Sequence, residues 1–118
     1  MANAAGNITN HDFTYRWMYG PSNRYSDATK PREKLDDSSS MMACKTGPRY
    51  NASVWAEENG RYIDVSHGYS YAFTPNSSTY MLNWVYEEGY DYASIIGFLV
   101  SDSDHDTPAT GFWSPDSI

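Results

Sequence analysis

The sequence predicts an all-β fold, an antiparallel β-sandwich of immunoglobulin-like or jelly-roll-like form with about 7–8 short strands. Composition is the first reason: the 118 residues include 11 Tyr, 4 Trp and 4 Phe, side chains that suit a pleated, half-buried sheet. Apolar and polar side chains also alternate over residues 11–19, which is the period of a half-buried strand. Finally, the pair Asn59-Gly60, typical of tight β-hairpins, lies between two strand-like segments.

Turn residues separate the predicted strands at intervals of about a dozen residues. Residues 24–37 are polar and include Pro31, so we expect an exposed loop that leads to a sheet edge. Residues 79–86 are assigned to a strand because they are few and aromatic, while a helix over 79–88 is the alternative. The predicted strands are residues 11–19, 38–45, 51–56, 61–66, 69–73, 79–86, 90–101 and 111–113.

The length fits one domain. We assign residues 1–10 to a disordered tail and residues 11–118 to a single β-sandwich domain. Residues 2–7 are small and polar, like the segment that follows a signal-peptidase site. This predicts a removed leader and a secreted, extracellular protein. A native cytosolic start with a floppy tail is the alternative.

Charge disfavours several classes of partner. The formal net charge is −7, and residues 62–118 contain no Lys or Arg. Binding to nucleic acid or to an anionic membrane surface needs clustered cations, so both are disfavoured. The longest apolar run, residues 93–100, is too short to span a membrane as a helix. Cys44 is the one cysteine, which excludes an internal disulfide, and we expect it in the core.

Four stretches carry a family resemblance. Residues 83–93 fit Asn-x-Val-x-Glu-x-Gly-Tyr-x-x-Ala, and residues 111–118 fit Gly-x-Trp-Ser-Pro-Asp-Ser followed by an aliphatic residue. Phe13-Thr14-Tyr15 and Arg32-x-Lys34-x-Asp36-x-Ser38-Ser39 also match. The chain resembles small exported proteins of unknown function from Gram-positive bacteria, which are loosely associated with lactococcin-like bacteriocins. The resemblance implies a leader peptide and an antibacterial or cell-envelope role, and it supplies no catalytic residue.

The same residues have a structural interpretation. Gly89 is expected at positive φ in a tight turn. Tyr90 or Tyr92 could place its ring in the core with the hydroxyl bonded to backbone, as a corner tyrosine does in sandwich domains. We expect Trp113 to plug one end of the core rather than to bind a ligand.

One segment suggests a metal site. Asp102, Asp104 and Asp106 alternate in sequence and could bind Ca²⁺, which takes several oxygen ligands. The pattern of a helix-loop-helix calcium loop fails, because Thr107 and Trp113 occupy its glycine and glutamate positions. A solvated acidic turn is the favoured alternative, and no other cofactor is predicted.

The sequence predicts a protein that is not an enzyme. The three histidines, at positions 11, 67 and 105, are isolated, and no serine lies in a Gly-x-Ser-x-Gly motif. Glu87 and Glu88 are adjacent, so on a strand they would point to opposite faces and could not cooperate.

Binding is the better-supported function. Tyrosine and tryptophan offer a large contact area at low entropic cost, and Tyr25, Tyr50 and Tyr62 are the expected exposed tyrosines. The predicted partner is a bacterial cell-surface component, either a glycan or a protein. Two alternatives stay open: a carbohydrate-binding module, and a structural or adhesive subunit whose exposed strand is completed by a partner.

Overall fold

A computed structural model describes residues 7–17, 26–99 and 108–117. These residues form two antiparallel sheets, which confirms the predicted all-β sandwich. Ten strands are present in the described residues, more than the 7–8 expected, because several edge strands are only two to five residues long. The strands are β1 (His11–Tyr15), β2 (Ser26–Ala28), β3 (Arg32–Glu33), β4 (Ser40–Thr46), β5 (Tyr50–Glu58), β6 (Arg61–Asp64), β7 (Tyr71–Phe73), β8 (Ser77–Met81), β9 (Tyr92–Leu99) and β10 (Ala109–Ser114).

The first sheet has four strands in the order β1-β10-β4-β8. The second has six, in the order β2-β9-β5-β6, with β3 also paired to β9 and β7 also paired to β5. Its centre is the long β5–β9 ladder, which runs from Tyr50 opposite Leu99 to Glu57 opposite Tyr92. In the described parts of the chain, no helix has the length and apolar character that a membrane crossing requires.

Several local predictions are confirmed. Phe13, Tyr15 and Trp17 are buried on one face, as the alternation in β1 predicted. The hairpin between β5 and β6 turns at Asn59-Gly60, where both residues have positive φ (55° and 82°), the backbone that a two-residue hairpin turn of the favoured hand requires. Gly89 has φ of 86°, as its place in a turn predicted.

The segment 24–37 was wrongly expected to be an exposed loop. It contains β2 and β3, which pair with β9 through backbone hydrogen bonds. Thr29 and Lys34 are buried, and the Thr29 amide donates to the carbonyl of Ile95 at 3.0 Å. Such short strands give no visible alternation, so their polar sequence conceals the pairing.

The segment 79–86 is also shorter as a strand than predicted. Strand β8 ends at Met81, and residues 85–89 form turns rather than strand or helix. The Asn83 side chain is the reason, because its amide accepts from the backbone of Val85 and donates to the carbonyl of Met81, bending the chain. Glu87 and Glu88 therefore lie in a turn, not on a strand.

An aromatic cluster fills the centre of the core. The Tyr50 ring lies 5.4 Å from Tyr15, 5.5 Å from Trp17 and 5.5 Å from Phe73, measured between centroids. Tyr50 is fully buried, so its expected exposure was wrong, and its burial raises its pKa. Tyr62 is exposed as predicted, at 42%, and Tyr25 lies outside the described residues.

Tyr15 fills the role that was predicted for Tyr90 or Tyr92. Its hydroxyl donates to the carbonyl of Ile95 at 2.6 Å and so joins β1 of one sheet to β9 of the other. Tyr92 is 43% exposed, and Tyr90 is only partly buried. Burial raises the pKa of Tyr15 well above its ordinary value. Cys44 and Trp113 are buried, as predicted.

We predict that Tyr15→Phe lowers the free energy of unfolding by about 0.5–1.5 kcal/mol, because a buried hydrogen bond between the sheets is lost while the Ile95 carbonyl keeps the Thr29 amide as a partner. Urea unfolding measures the loss. The matched control is Tyr80→Phe, which removes a hydroxyl from a side chain that is 67% exposed and should change stability by less than about 0.5 kcal/mol. Equal losses in the two variants would contradict the assignment.

Candidate functional site

A fully buried ion pair joins the segment after β3 to the segment after β10. Lys34 follows β3 and Asp116 follows β10, and the two positions are 82 residues apart. The Lys34 ammonium contacts the Asp116 carboxylate and donates to the backbone oxygens of Asp36 and Ser38, each at 2.6 Å. Both side chains have 0% exposure. The ammonium therefore has an acceptor for each of its N–H groups, which offsets its loss of water.

Backbone amides complete the hydrogen bonding of the Asp116 carboxylate. Its Oδ2 accepts from the amides of Leu35 at 2.9 Å and Asn7 at 2.7 Å. The Asp116 amide in turn donates to the carbonyl of Asn7 at 3.2 Å. Part of the segment predicted as a tail, residues 1–10, is therefore bonded to the carboxyl-terminal motif.

Arg32 strengthens the same junction. Its guanidinium lies over the Trp113 ring, 5.2 Å from the centroid, and donates to the Trp113 carbonyl at 2.9 Å. It also donates to the carbonyl of Thr9 at 2.7 Å and to Oδ1 of Asn7 at 3.3 Å. The residues of the Arg32-x-Lys34 stretch thus contact those of the Trp-Ser-Pro-Asp stretch directly.

Asp36 is held in its ionised form at the edge of this junction. Its Oδ1 accepts from the amide of Ser38 at 2.9 Å and from the Ser38 hydroxyl. Burial opposes ionisation, but these hydrogen bonds and the charge of Lys34 outweigh it and lower the pKa of Asp36 below its ordinary value.

The hydrogen bonds continue from Asp116 towards the loop 82–90. The Ser40 hydroxyl donates to the carbonyl of Pro115 at 2.7 Å, and the Asn83 amide donates to Ser40 Oγ at 3.2 Å. Ser40 and Asn83 are both buried. Because Asn83 directly precedes Trp84, these hydrogen bonds help to set where the half-buried Trp84 ring lies.

Three stacked rings, His67, Tyr69 and Trp84, form a surface that we call the aromatic platform. The rings of His67 and Trp84 are nearly parallel, with centroids 3.9 Å apart and planes at 5°. Tyr69 stacks on Trp84 at 6.0 Å and 19°. The His67 side chain is 46% exposed and Tyr69 is 48% exposed, so solvent reaches the platform.

Backbone geometry holds the platform in place. His67 and Gly68 have φ of 53° and 86°, and the Tyr69 amide donates to the carbonyl of Ser66 at 3.0 Å. Positive φ at both central positions defines a tight turn that few residues other than Gly, Asn, Asp and His accept. The Trp84 amide donates to the carbonyl of Val65 at 2.9 Å, which fastens the two loops together.

A polar contact borders the platform. His67 Nε2 lies 2.6 Å from Oε2 of Glu88, and the Glu88 amide donates to the carbonyl of Trp84 at 3.0 Å. Glu88 thus supplies a carboxylate beside aromatic rings, in a part of the sequence that carries no Lys or Arg. The surface combines flat apolar faces with hydrogen-bonding edges.

Sequence reasoning found the elements of this site but not the site itself. His67-Gly68 lies between the predicted strands 61–66 and 69–73, and Trp84 was assigned to the predicted strand 79–86. No spacing rule links two loops that the β-sandwich brings together, and the glycine of His67-Gly68 was the local sign of a turn. Of the other two histidines, His11 lies on β1 and is not part of the platform, and His105 lies outside the described residues.

The predicted calcium ligands Asp102, Asp104 and Asp106 lie outside the described residues. Within residues 7–17, 26–99 and 108–117, no three or more His, Cys, Asp or Glu side chains are arranged to hold a metal ion. The aromatic platform, with its stacked rings and the adjacent carboxylate of Glu88, is the candidate binding site.

We predict that Lys34→Met lowers the free energy of unfolding by about 3–5 kcal/mol, because it leaves the Asp116 carboxylate buried without a counter-charge. The double variant Lys34→Met/Asp116→Asn should lose less than the sum of its two single changes, since no unpaired charge remains. Denaturant unfolding measures the cycle. Lys45→Met is the control: the Lys45 side chain is 57% exposed and its Nζ lies 4.0 Å from Asp12 Oδ1, so its loss should cost no more than about 1 kcal/mol. Additive losses would contradict the coupling.

The lowered pKa of Asp36 predicts a loss of stability in acid. A carboxyl group with a lowered pKa in the folded state stabilises the fold above its unfolded pKa of about 3.9, and this contribution disappears as the pH falls through the folded value. Asp36→Asn should therefore reduce the decrease in Tm between about pH 5 and pH 2. Asp12→Asn, a change at a side chain that is 87% exposed, is the control and should keep the wild-type profile. An Asp36→Asn profile identical to wild type would refute the assignment.

Three of the four sequence motifs, those that contain Lys34, Asn83 and Asp116, are joined by hydrogen bonds in this junction. No curated protein matches the sequence, and no solved structure matches it. A family model described as protein of unknown function (DUF2712) matches residues 1–117. The chain therefore belongs to the DUF2712 family of proteins of unknown function.

Proposed function

We propose that this protein is a secreted binding protein that attaches to a glycan on the bacterial cell surface through the aromatic platform. The observation that carries the proposal is the stack of the exposed His67 and Tyr69 rings on the half-buried Trp84 ring, held in place by backbone hydrogen bonds within and between two loops. Rigid aromatic side chains provide contact area with little loss of entropy on binding. The secretion part of the proposal rests on the family resemblance carried by residues 83–93 and 111–118.

The chemistry of the platform favours a glycan without negative charge. Apolar C–H faces of sugar rings can lie against the exposed rings, and hydroxyl groups can bond to the His67–Glu88 pair. Glu88 and Glu87 are both exposed in the loop beside it, so an anionic polymer would be repelled. An antibacterial or envelope role would follow from attachment at this site.

A different class of partner has one observation in its favour. Within the described residues, β8 is an edge strand of the first sheet, and Tyr80 on it is 67% exposed. An edge strand can be extended by a partner strand. This feature supports the structural or adhesive subunit as the second candidate function.

Binding of the purified protein to bacterial cell walls and to an array of neutral glycans tests the first proposal. We expect Tyr69→Ala and His67→Ala each to weaken binding by about tenfold or more, the usual effect of truncating a central interface residue. Tyr62→Ala, at an exposed tyrosine on β6, is the control and should bind like wild type.

Thermal unfolding of each variant separates a lost contact from a lost fold. The absence of binding to any glycan or cell wall by the folded wild-type protein would refute the proposal, as would equal weakening by Tyr62→Ala. Binding that is lost after protease treatment of the cell walls would assign the platform to a protein partner instead and would also refute the glycan proposal.

A further inference from the structure

A cleft separates the edges of the two sheets at the side of the molecule formed by β1 and β3. Its volume is about 400 Å³, and its lining includes the apolar side chains of Phe13, Pro31 and Trp113 and the basic side chains of Lys30 and Arg32. This volume lies within the range of cavities that hold small ligands, roughly 300–1,000 Å³. The aromatic platform contributes no residue to the lining.

The positive charge of Arg32 is not neutralised within the described residues. Its hydrogen bonds go to the carbonyls of Trp113 and Thr9 and to the side-chain amide oxygen of Asn7, all of which are neutral. These bonds fix the guanidinium at the cleft without using all its N–H donors. Partial burial lowers the pKa of Arg32, because removal of water disfavours the charged form. An anion beside it would offset that cost.

Lys30 adds a second positive charge to the same cleft. It is exposed and lines the cleft two residues before Arg32, and no ion pair of Lys30 occurs in the described structure. Asp12 is the acidic residue among the lining side chains; it is 87% exposed and lies 4.0 Å from Lys45. In a chain with 15 acidic and 8 basic residues, two cations without acidic partners at one cleft are a local reversal of charge.

We propose that this cleft binds a small anionic ligand, a carboxylate or phosphate group carried on a body about the size of one sugar ring. The anionic group lies between Lys30 and Arg32, where a hydrogen-bonded guanidinium and an exposed ammonium provide charge-assisted hydrogen bonds. The body of the ligand packs against Phe13 and Pro31. The proposal is independent of the aromatic platform, because the two sites share no residue.

Titration of the ¹⁵N-labelled full chain, followed by amide and indole chemical shifts, tests the site. The probes are glucuronate, glucose 6-phosphate, inorganic phosphate and neutral glucose. We expect glucuronate or glucose 6-phosphate to shift the signals of His11, Lys30, Arg32 and the Trp113 indole, and glucose to leave them unchanged. The sugar anion that binds more tightly shows whether the cleft prefers a carboxylate or a phosphate group. Binding should weaken as the salt concentration increases.

Substitutions distinguish specific binding in the cleft from non-specific electrostatic attraction to the protein. Lys30→Gln should weaken binding of the sugar anion by about tenfold, and Lys30→Arg should retain most of it. Arg61→Gln removes the same charge from the exposed hairpin of β6 and is the control. Arg32→Gln removes the hydrogen bonds to Thr9 and Asn7, and its Tm should be measured for that reason. If its Tm falls, Arg32→Lys is the second variant: it keeps the charge and should still bind the sugar anion more weakly than wild type.

Three results would each overturn the proposal: no shifts with either sugar anion at millimolar concentration, equal shifts with neutral glucose, or equal weakening by Arg61→Gln and Lys30→Gln. A failure here leaves glycan binding at the platform intact, since Tyr69→Ala and Lys30→Gln report on separate sites.

Discussion

The buried contact between Lys34 and Asp116 is the constraint on which the rest of the structure depends. Two charges without access to water are tolerated only if every donor and acceptor is matched. Here the ammonium has three oxygen partners, and the carboxylate accepts from backbone amides on two segments. Satisfying the pair therefore dictates the path of the chain after β3, after β10 and at Asn7, and it closes the sandwich without a disulfide.

Both proposed binding sites are extensions of that junction. On one side, the bonds from Pro115 through Ser40 to Asn83 determine where Trp84 emerges in the platform. On the other side, Arg32, two residues before Lys34, is fixed on the Trp113 ring at the cleft. The residues that carry the family resemblance are thus mainly the framework, and the exposed rings and cations beside it are the surfaces available to a partner.

The candidate site was less predictable than the fold. Alternation in β1 and the Asn59-Gly60 turn are local patterns, and local patterns are visible in a single sequence. His67 and Trp84, in contrast, meet only because Val65 and Trp84 are joined through their backbones after the sheets have formed. Likewise, the polar segment 24–37 has strands because β9 offers it hydrogen bonds, a property of the neighbour rather than of the segment.

By itself, the sequence determined the β class, the strand faces with period two, the hairpin turns and the burial of Trp113 and Cys44, because each depends on the preferences of a few consecutive residues. Only the tertiary structure decided that Tyr50 is buried, that Tyr15 rather than Tyr90 bonds across the core, and which charges pair. These outcomes depend on which strands become neighbours. The all-β sandwich could be predicted from the residues. Its buried ion pair and its stacked surface rings arise from contacts between segments up to 82 positions apart.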